Sequence, residues 1–88
     1  MKIGIKKVEG GKLIKVKLLE EKGIIKDIKI TGDFFAHPEE AIEELENILK
    51  NTPLIKVKEN IKKFIEEKNI KLIGIKINDI IEVIEESK

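Results

Sequence analysis

Cysteine is absent from these 88 residues, so neither a disulfide nor a thiolate metal site can form. Arginine, tryptophan and tyrosine are absent as well, and only three phenylalanines are present. A chain without guanidinium forks and with so few stacking rings lacks the usual grips on phosphate and base, and its net charge of +1 argues against a dedicated nucleic-acid binder. Ser87 is the only serine and stands next to the last residue, which argues against a serine nucleophile. No glycine-rich phosphate loop precedes a helical pattern, because Gly10-Gly11 falls between two strand patterns. His37, the only histidine, sits beside Pro38 and reads as a loop or capping residue. No apolar run is long enough to cross a bilayer and no signal-peptide pattern occurs, so a cytoplasmic location is expected.

What is present is aliphatic and charged in near-equal measure. Hydrophobic residues make up 41% and charged residues 40%, enough apolar content for a folded chain. All basic residues are lysines, and isoleucine leads the apolar set. Abundant lysine and glutamate suit a thermophile, and an AT-rich genome would give the same bias. The charge is polarised along the chain. Residues 1–30 carry nine lysines against four acids, residues 31–51 one lysine against six acids, and the rest eight against seven.

The length fits one domain, residues 1–88, with a modest core. Ile3 and Ile5 alternate with polar or small residues, the period of a half-buried strand. Glu9-Gly10-Gly11-Lys12 supplies a turn, and Ile14, Val16 and Leu18 continue the alternation with Leu13, Lys15, Lys17 and Leu19 on the opposite face. After Glu20-Glu21-Lys22-Gly23, Ile24, Ile28 and Ile30 share a face on which Lys26 intrudes, so a bulge near Lys26-Asp27 or an edge position is expected. Beyond Gly32 the period becomes helical. Pro38 and the following glutamates suit a helix N-terminus. The apolar stripes are Ala41, Ile42, Leu45, Ile48, Leu49; then Val57, Ile61, Phe64, Ile65; then Ile77, Ile80, Ile81, Ile84 behind a capping Asn78. The stretch from Ile70 to Ile77 fits a loop or a short strand. These signals predict an α+β domain: a three-stranded antiparallel sheet followed by three helices packed on one face, in two layers.

Three features stand out as candidate sites. Lys2, Lys6, Lys15, Lys17 and Lys29, interleaved with Leu13, Leu19 and Ile25, form the expected outward sheet face, either plain solvent surface or a docking surface. Gly10, Gly11 and Lys12 form a hairpin turn whose backbone N–H groups could approach an anion. Gly32-Asp33-Phe34-Phe35 holds two of the three phenylalanines. Adjacent side chains in extended backbone point opposite ways, so both rings would hardly fill one core. Asp33 is expected to accept hydrogen bonds from nearby backbone.

The run Gly11-Lys12-Leu13-Ile14-Lys15-Val16, the Gly23-to-Ile30 strand ending in Thr31-Gly32-Asp33-Phe34-Phe35, and His37-Pro38-Glu39-Glu40-Ala41-Ile42-Glu43-Glu44-Leu45-Glu46 resemble the C-terminal domain of lipoate–protein ligases. The likeness continues more weakly through Leu49 to Pro53 and Ile73-Gly74-Ile75 to Ile80. Where that family often has glycine after the first helix this chain has Asn51, which also tolerates the left-handed conformation. The resemblance implies an accessory subunit, with no catalytic residue and no cofactor of its own. ATP, Mg and lipoate would be bound by a large catalytic subunit. Acceptors of the lipoyl group, such as the E2 component of 2-oxoacid dehydrogenases or the glycine cleavage H protein, would be met only indirectly. A start directly in the first strand fits the form in which this domain is a separate polypeptide. On this reading Gly32, Asp33, Phe34, Phe35, Lys15, Lys17 and Lys29 face the large subunit, and Gly10, Gly11 and Lys12 approach the adenylate. The alternative is a small protein- or RNA-binding module using the lysine-rich sheet face.

Overall fold

Residues 2–8, 10 and 12–87 are described by the computed structural model. Strands β1 (Lys2–Lys7), β2 (Leu13–Glu21) and β3 (Ile24–Gly32) form an antiparallel sheet in chain order. A short β4 (Phe35–His37) leads to α1 (Ala41–Leu49), a 3₁₀ turn (Leu54–Lys56), α2 (Val57–Glu67), β5 (Lys71–Ile73) and α3 (Ile77–Glu86). The segment from Ile70 to Ile77 thus contains a strand. It pairs with β4 across two helices, Phe35 opposite Ile73 and His37 opposite Lys71.

The helices cover one face of the sheet. α1 lies over β3, α3 over β1 and β2, and α2 packs against both helices. Ile14, Val16 and Leu18 from β2 meet Leu45, Leu49, Ile61, Ile80 and Ile84 in a core from which water is excluded. Each such aliphatic side chain contributes about 1.5–3 kcal/mol of transfer free energy. The α2 stripe is buried as the spacing predicts. In α1, Ile48 is turned outward and Glu46 inward, and in α3 Val83 joins the core while Ile77 is only half-buried.

The bulge expected near Lys26 is present: Leu19 pairs with Asp27 and Glu20 with Ile25, leaving Lys26 unpaired. One extra residue reverses the side-chain parity. Ile25 therefore enters the core together with Ile28 and Ile30, and Ile24 is left half-buried. The expected outward position of Ile25 is overturned for that reason.

β1 has the opposite facing from the one its isoleucines suggest. Gly4 faces α3, whereas Ile3 and Ile5 are 55% and 60% exposed on the outer side. A Cβ at Gly4 would collide with Ser87 Oγ and lie 2.8 Å from the carbonyl oxygen of Val83. Only glycine lets α3 approach this closely, and that contact sets the facing of the whole strand. Lys2 and Lys6 therefore point to the helix side, not to the outward lysine face. Lys2 Nζ lies 3.7 Å from Glu20, and Lys6 lies 3.2 Å from Asp79 and donates to Glu82. The Glu82 hydrogen bond is the largest influence on the Lys6 pKa and, with Asp79 and the charge of both carboxylates, raises it above its ordinary 10.5 against the opposing desolvation, the second-largest influence.

Helix ends carry two further departures from the sequence reading. Asn78 does not cap α3; Lys76 precedes the helix, and its N–H donates to Asp79 Oδ2 at 2.8 Å. Asn51 does take the left-handed conformation after α1, with φ 66°. Asn69 does the same after α2, where Ile70 N–H reaches the carbonyl of Ile65 at 3.1 Å and closes a Schellman turn.

The buried carboxylate of Glu46 accepts from the backbone N–H of Ile30 at 2.7 Å, fastening α1 to β3. Glu46→Ala leaves that donor without a partner, and urea unfolding is expected to show a loss of about 1–3 kcal/mol. Glu46→Gln, which keeps an acceptor oxygen, should lose distinctly less; equal losses would contradict this role. The raised Lys6 pKa gives stability that is complete below about pH 10.5 and lost as pH rises through the higher folded value. Lys6→Met should accordingly flatten the alkaline limb of a melting-temperature profile.

Candidate functional site

The end of β3 turns into β4 at Gly32-Asp33. A Cβ at Gly32 would collide with the carbonyl oxygen of Leu13 and come within 3.0 Å of the Phe34 ring, so glycine is required for β2 and the turn to touch. Asp33 N–H donates to that same Leu13 carbonyl at 2.9 Å. No described residue donates to the Asp33 carboxylate, which is exposed, so its expected role as a local acceptor is not what the structure shows. The two rings separate as extended geometry requires: Phe34 is half-buried against the core and Phe35 is 71% exposed.

Two candidate segments that are far apart in sequence come together here. A groove of about 430 Å³ is lined by Gly10, Lys12, Gly32, Asp33, Phe34 and Phe35. Gly11 lies outside the described residues. The Gly74 turn before α3 lies against Lys12 and Phe34 on the same corner. A second groove, of about 460 Å³, lies between Phe35 and α1 and is lined by Ile30, Thr31, Phe34, Ala36, Glu39 and Ile42 among others. Phe35 forms a wall of both. Its cross-strand partner Ile73 is itself 58% exposed, giving an apolar pair at the tip of the β4–β5 ribbon.

The third candidate, the outer sheet face, keeps Lys15, Lys17 and Lys29. Register places Lys17 between Ile3 and Lys29, and Lys15 between Ile5 and Thr31. Leu13, Leu19 and Lys7 complete this face. Lysines directly opposite one another repel, and Lys29 has an acid nearby, Glu46 at 3.9 Å. Among the described residues, Lys7, Lys15 and Lys17 have no acidic partner.

Among the described residues, nothing in this arrangement assembles a nucleophile with a base. His37 is exposed at the end of β4, and Ser87 is buried with its hydroxyl donating to the Val83 carbonyl at 2.6 Å. No helix among the described residues is long and apolar enough to cross a membrane. Sequence reasoning missed Ile3 and Ile5, whose facing depends on Gly4, and Ile73, whose strand is visible only through its distant partner.

Residues 4–84 match the family described as the bacterial lipoate protein ligase C-terminus. A curated relative, lipoate-protein ligase A subunit 2 of Thermoplasma acidophilum, is 42% identical over 52 residues, 59% of this chain. That match spans about half, 55%, of the relative's length. A solved structure from the same organism, described as an archaeal lipoylation system with a bi-partite lipoate protein ligase and its E2 lipoyl domain, superposes with a TM-score of 0.85 at 32% identity. That superposition covers 92% of this chain and 90% of the other.

The two phenylalanines have different jobs in the fold. Phe34→Ala should lower stability by about 1–3 kcal/mol, part of the cost of emptying a fully buried site. Phe35→Ala should stay within about 0.5 kcal/mol of the parent in the same thermal melt. A large loss from Phe35→Ala would show that its ring is part of the core.

Proposed function

We propose that this chain, which belongs to the lipoate protein ligase C-terminus family, is the non-catalytic subunit of a two-chain lipoate–protein ligase. The observation that carries the reading is its one-sided construction. Helices occupy one sheet face, and the other presents lysines among exposed aliphatic side chains, Lys7, Lys15 and Lys17 having no acidic partner among the described residues, next to a corner tipped by Phe35. Such a patch in a small domain marks a contact surface.

In this reading the large catalytic subunit binds ATP, Mg and lipoate in the cytoplasm. The lipoate carboxylate attacks the α-phosphorus of ATP, pyrophosphate leaves, and lipoyl-adenylate forms. A lysine amine of an acceptor protein, such as an E2 lipoyl domain or the glycine cleavage H protein, then takes the lipoyl group and releases AMP. This chain supplies no group to either step. It acts by binding one conformation of the large subunit more tightly than another, which shifts the population toward the state competent for activation. Lys15, Lys17, Lys29 and the Gly32-to-Phe35 corner make the contact, with Phe34 holding the corner in shape from below. Gly10 and Lys12, across the groove from Asp33, together with Gly11 between them in the sequence, are the part of the chain that approaches the adenylate.

The test mixes the two purified chains with lipoate and Mg-ATP and follows pyrophosphate release. Addition of this chain is expected to raise the rate over the large subunit alone by about 5–150-fold, the usual span of coupling between sites. Lys15→Glu with Lys17→Glu, and separately Phe35→Ala, should weaken assembly on the order of tenfold or more. No stimulation by the parent chain would end the accessory reading.

A further inference from the structure

The two edges of the sheet are treated differently. At β3 the outer edge is partnered at several points. Ile25 N–H donates to Thr52 at 2.9 Å, Asn51 N–H donates back to Ile25 at 2.6 Å, and Ile24 bridges Pro53. Farther along, Ile28 N–H donates to Asp27 Oδ1 at 3.0 Å and Ile30 N–H to Glu46 Oε2 at 2.7 Å. At β1, no described group outside the sheet hydrogen-bonds to the backbone of Lys2–Lys7. An edge left open beside exposed isoleucines is a template for another strand, and proteins normally blunt it.

We infer that the free edge of β1 seats an extended segment of the large subunit, apolar and acidic in composition, as a fourth antiparallel or parallel strand. This rests on the accessory-subunit reading and adds the mode of contact to it. Main-chain hydrogen bonds give such an addition its grip, and side chains on alternate positions give its selectivity. The edge is held ready: Gly4 lets α3 lie close beneath it, and Lys6 ties it to Asp79 and Glu82. Less ordering is then left to offset on binding.

Charge identifies the occupant. The lysines of β1 that face the helices, Lys2 and Lys6, already have acidic partners on this chain. Those on the outer side, Lys7 and its neighbours Lys15 and Lys17, have none among the described residues. A complementary strand sets aliphatic groups beside Ile3 and Ile5 and carboxylates toward those ammonium groups. A second copy of this chain is a poor occupant, since antiparallel pairing about Gly4 sets Lys2 against Lys6 and brings two lysine faces together.

The experiment is residue-resolved amide exchange on the full chain, alone and with the purified large subunit, alongside a direct measurement of complex formation. If the inference holds, the β1 amides that do not bond to β2 slow by at least about tenfold in the complex, while Ile28 and Ile30 keep their rates. A complex that forms without slowing in β1 overturns the strand addition and leaves the accessory reading standing. Failure of any complex to form overturns both. Ile3→Lys with Ile5→Lys, both at exposed positions, should keep the parent melting curve yet lose affinity on the order of tenfold or more. Unchanged affinity in that variant also overturns the inference.

Discussion

Packing of α1 and α3 on a single sheet face is the contact on which everything else in this molecule depends. It buries Ile14, Val16, Leu18, Ile25, Ile28 and Ile30 and leaves the other face of the same strands in water. A chain of this size has no second layer with which to cover it. The outer face is therefore not leftover surface but the direct result of spending every helix on one side. Among the described residues nothing covers it, and lysines and isoleucines make up its surface.

Much of this was readable from the residues. Period-2 alternation in β2, the intrusion of Lys26 in β3 and the α2 stripe each found their place, because each is a local signal with a single geometric meaning. The facing of β1 was not readable. Ile3 and Ile5 look like core residues until α3 is seen pressing on Gly4, and no pattern within β1 reports a helix some eighty residues away. Glu46 was hidden for a related reason. Its spacing is that of a solvated helix face, and only the Ile30 N–H across the interface makes it a buried acceptor. The β4–β5 pairing is non-local by construction.

The candidate site divides in the same way. The outward placement of Lys15, Lys17 and Lys29 follows from alternation alone. The meeting of Gly10 and Lys12 with Asp33 and Phe35 follows from the antiparallel order of the sheet, which brings the β1–β2 turn beside the end of β3. The pairing of Phe35 with Ile73 required the three-dimensional structure. Specificity in such a surface resides in shape and in charge placement. Its lysines are flexible point charges without the fixed fork of arginine, so they accept a range of carboxylate positions.

The β4–β5 ribbon has a kinetic meaning as well. Its two strands are separated in the chain by α1, the 3₁₀ turn and α2, so their pairing closes a long loop for the return of only three residue pairs. Loop closure of that kind carries an entropic cost that short hairpins such as β2–β3 escape. The tip bearing Phe35 and Ile73 is thus joined across α1, the 3₁₀ turn and α2 by a non-local contact. Phe35 and Ile73, thirty-eight residues apart in the chain, stand side by side only while that loop is closed.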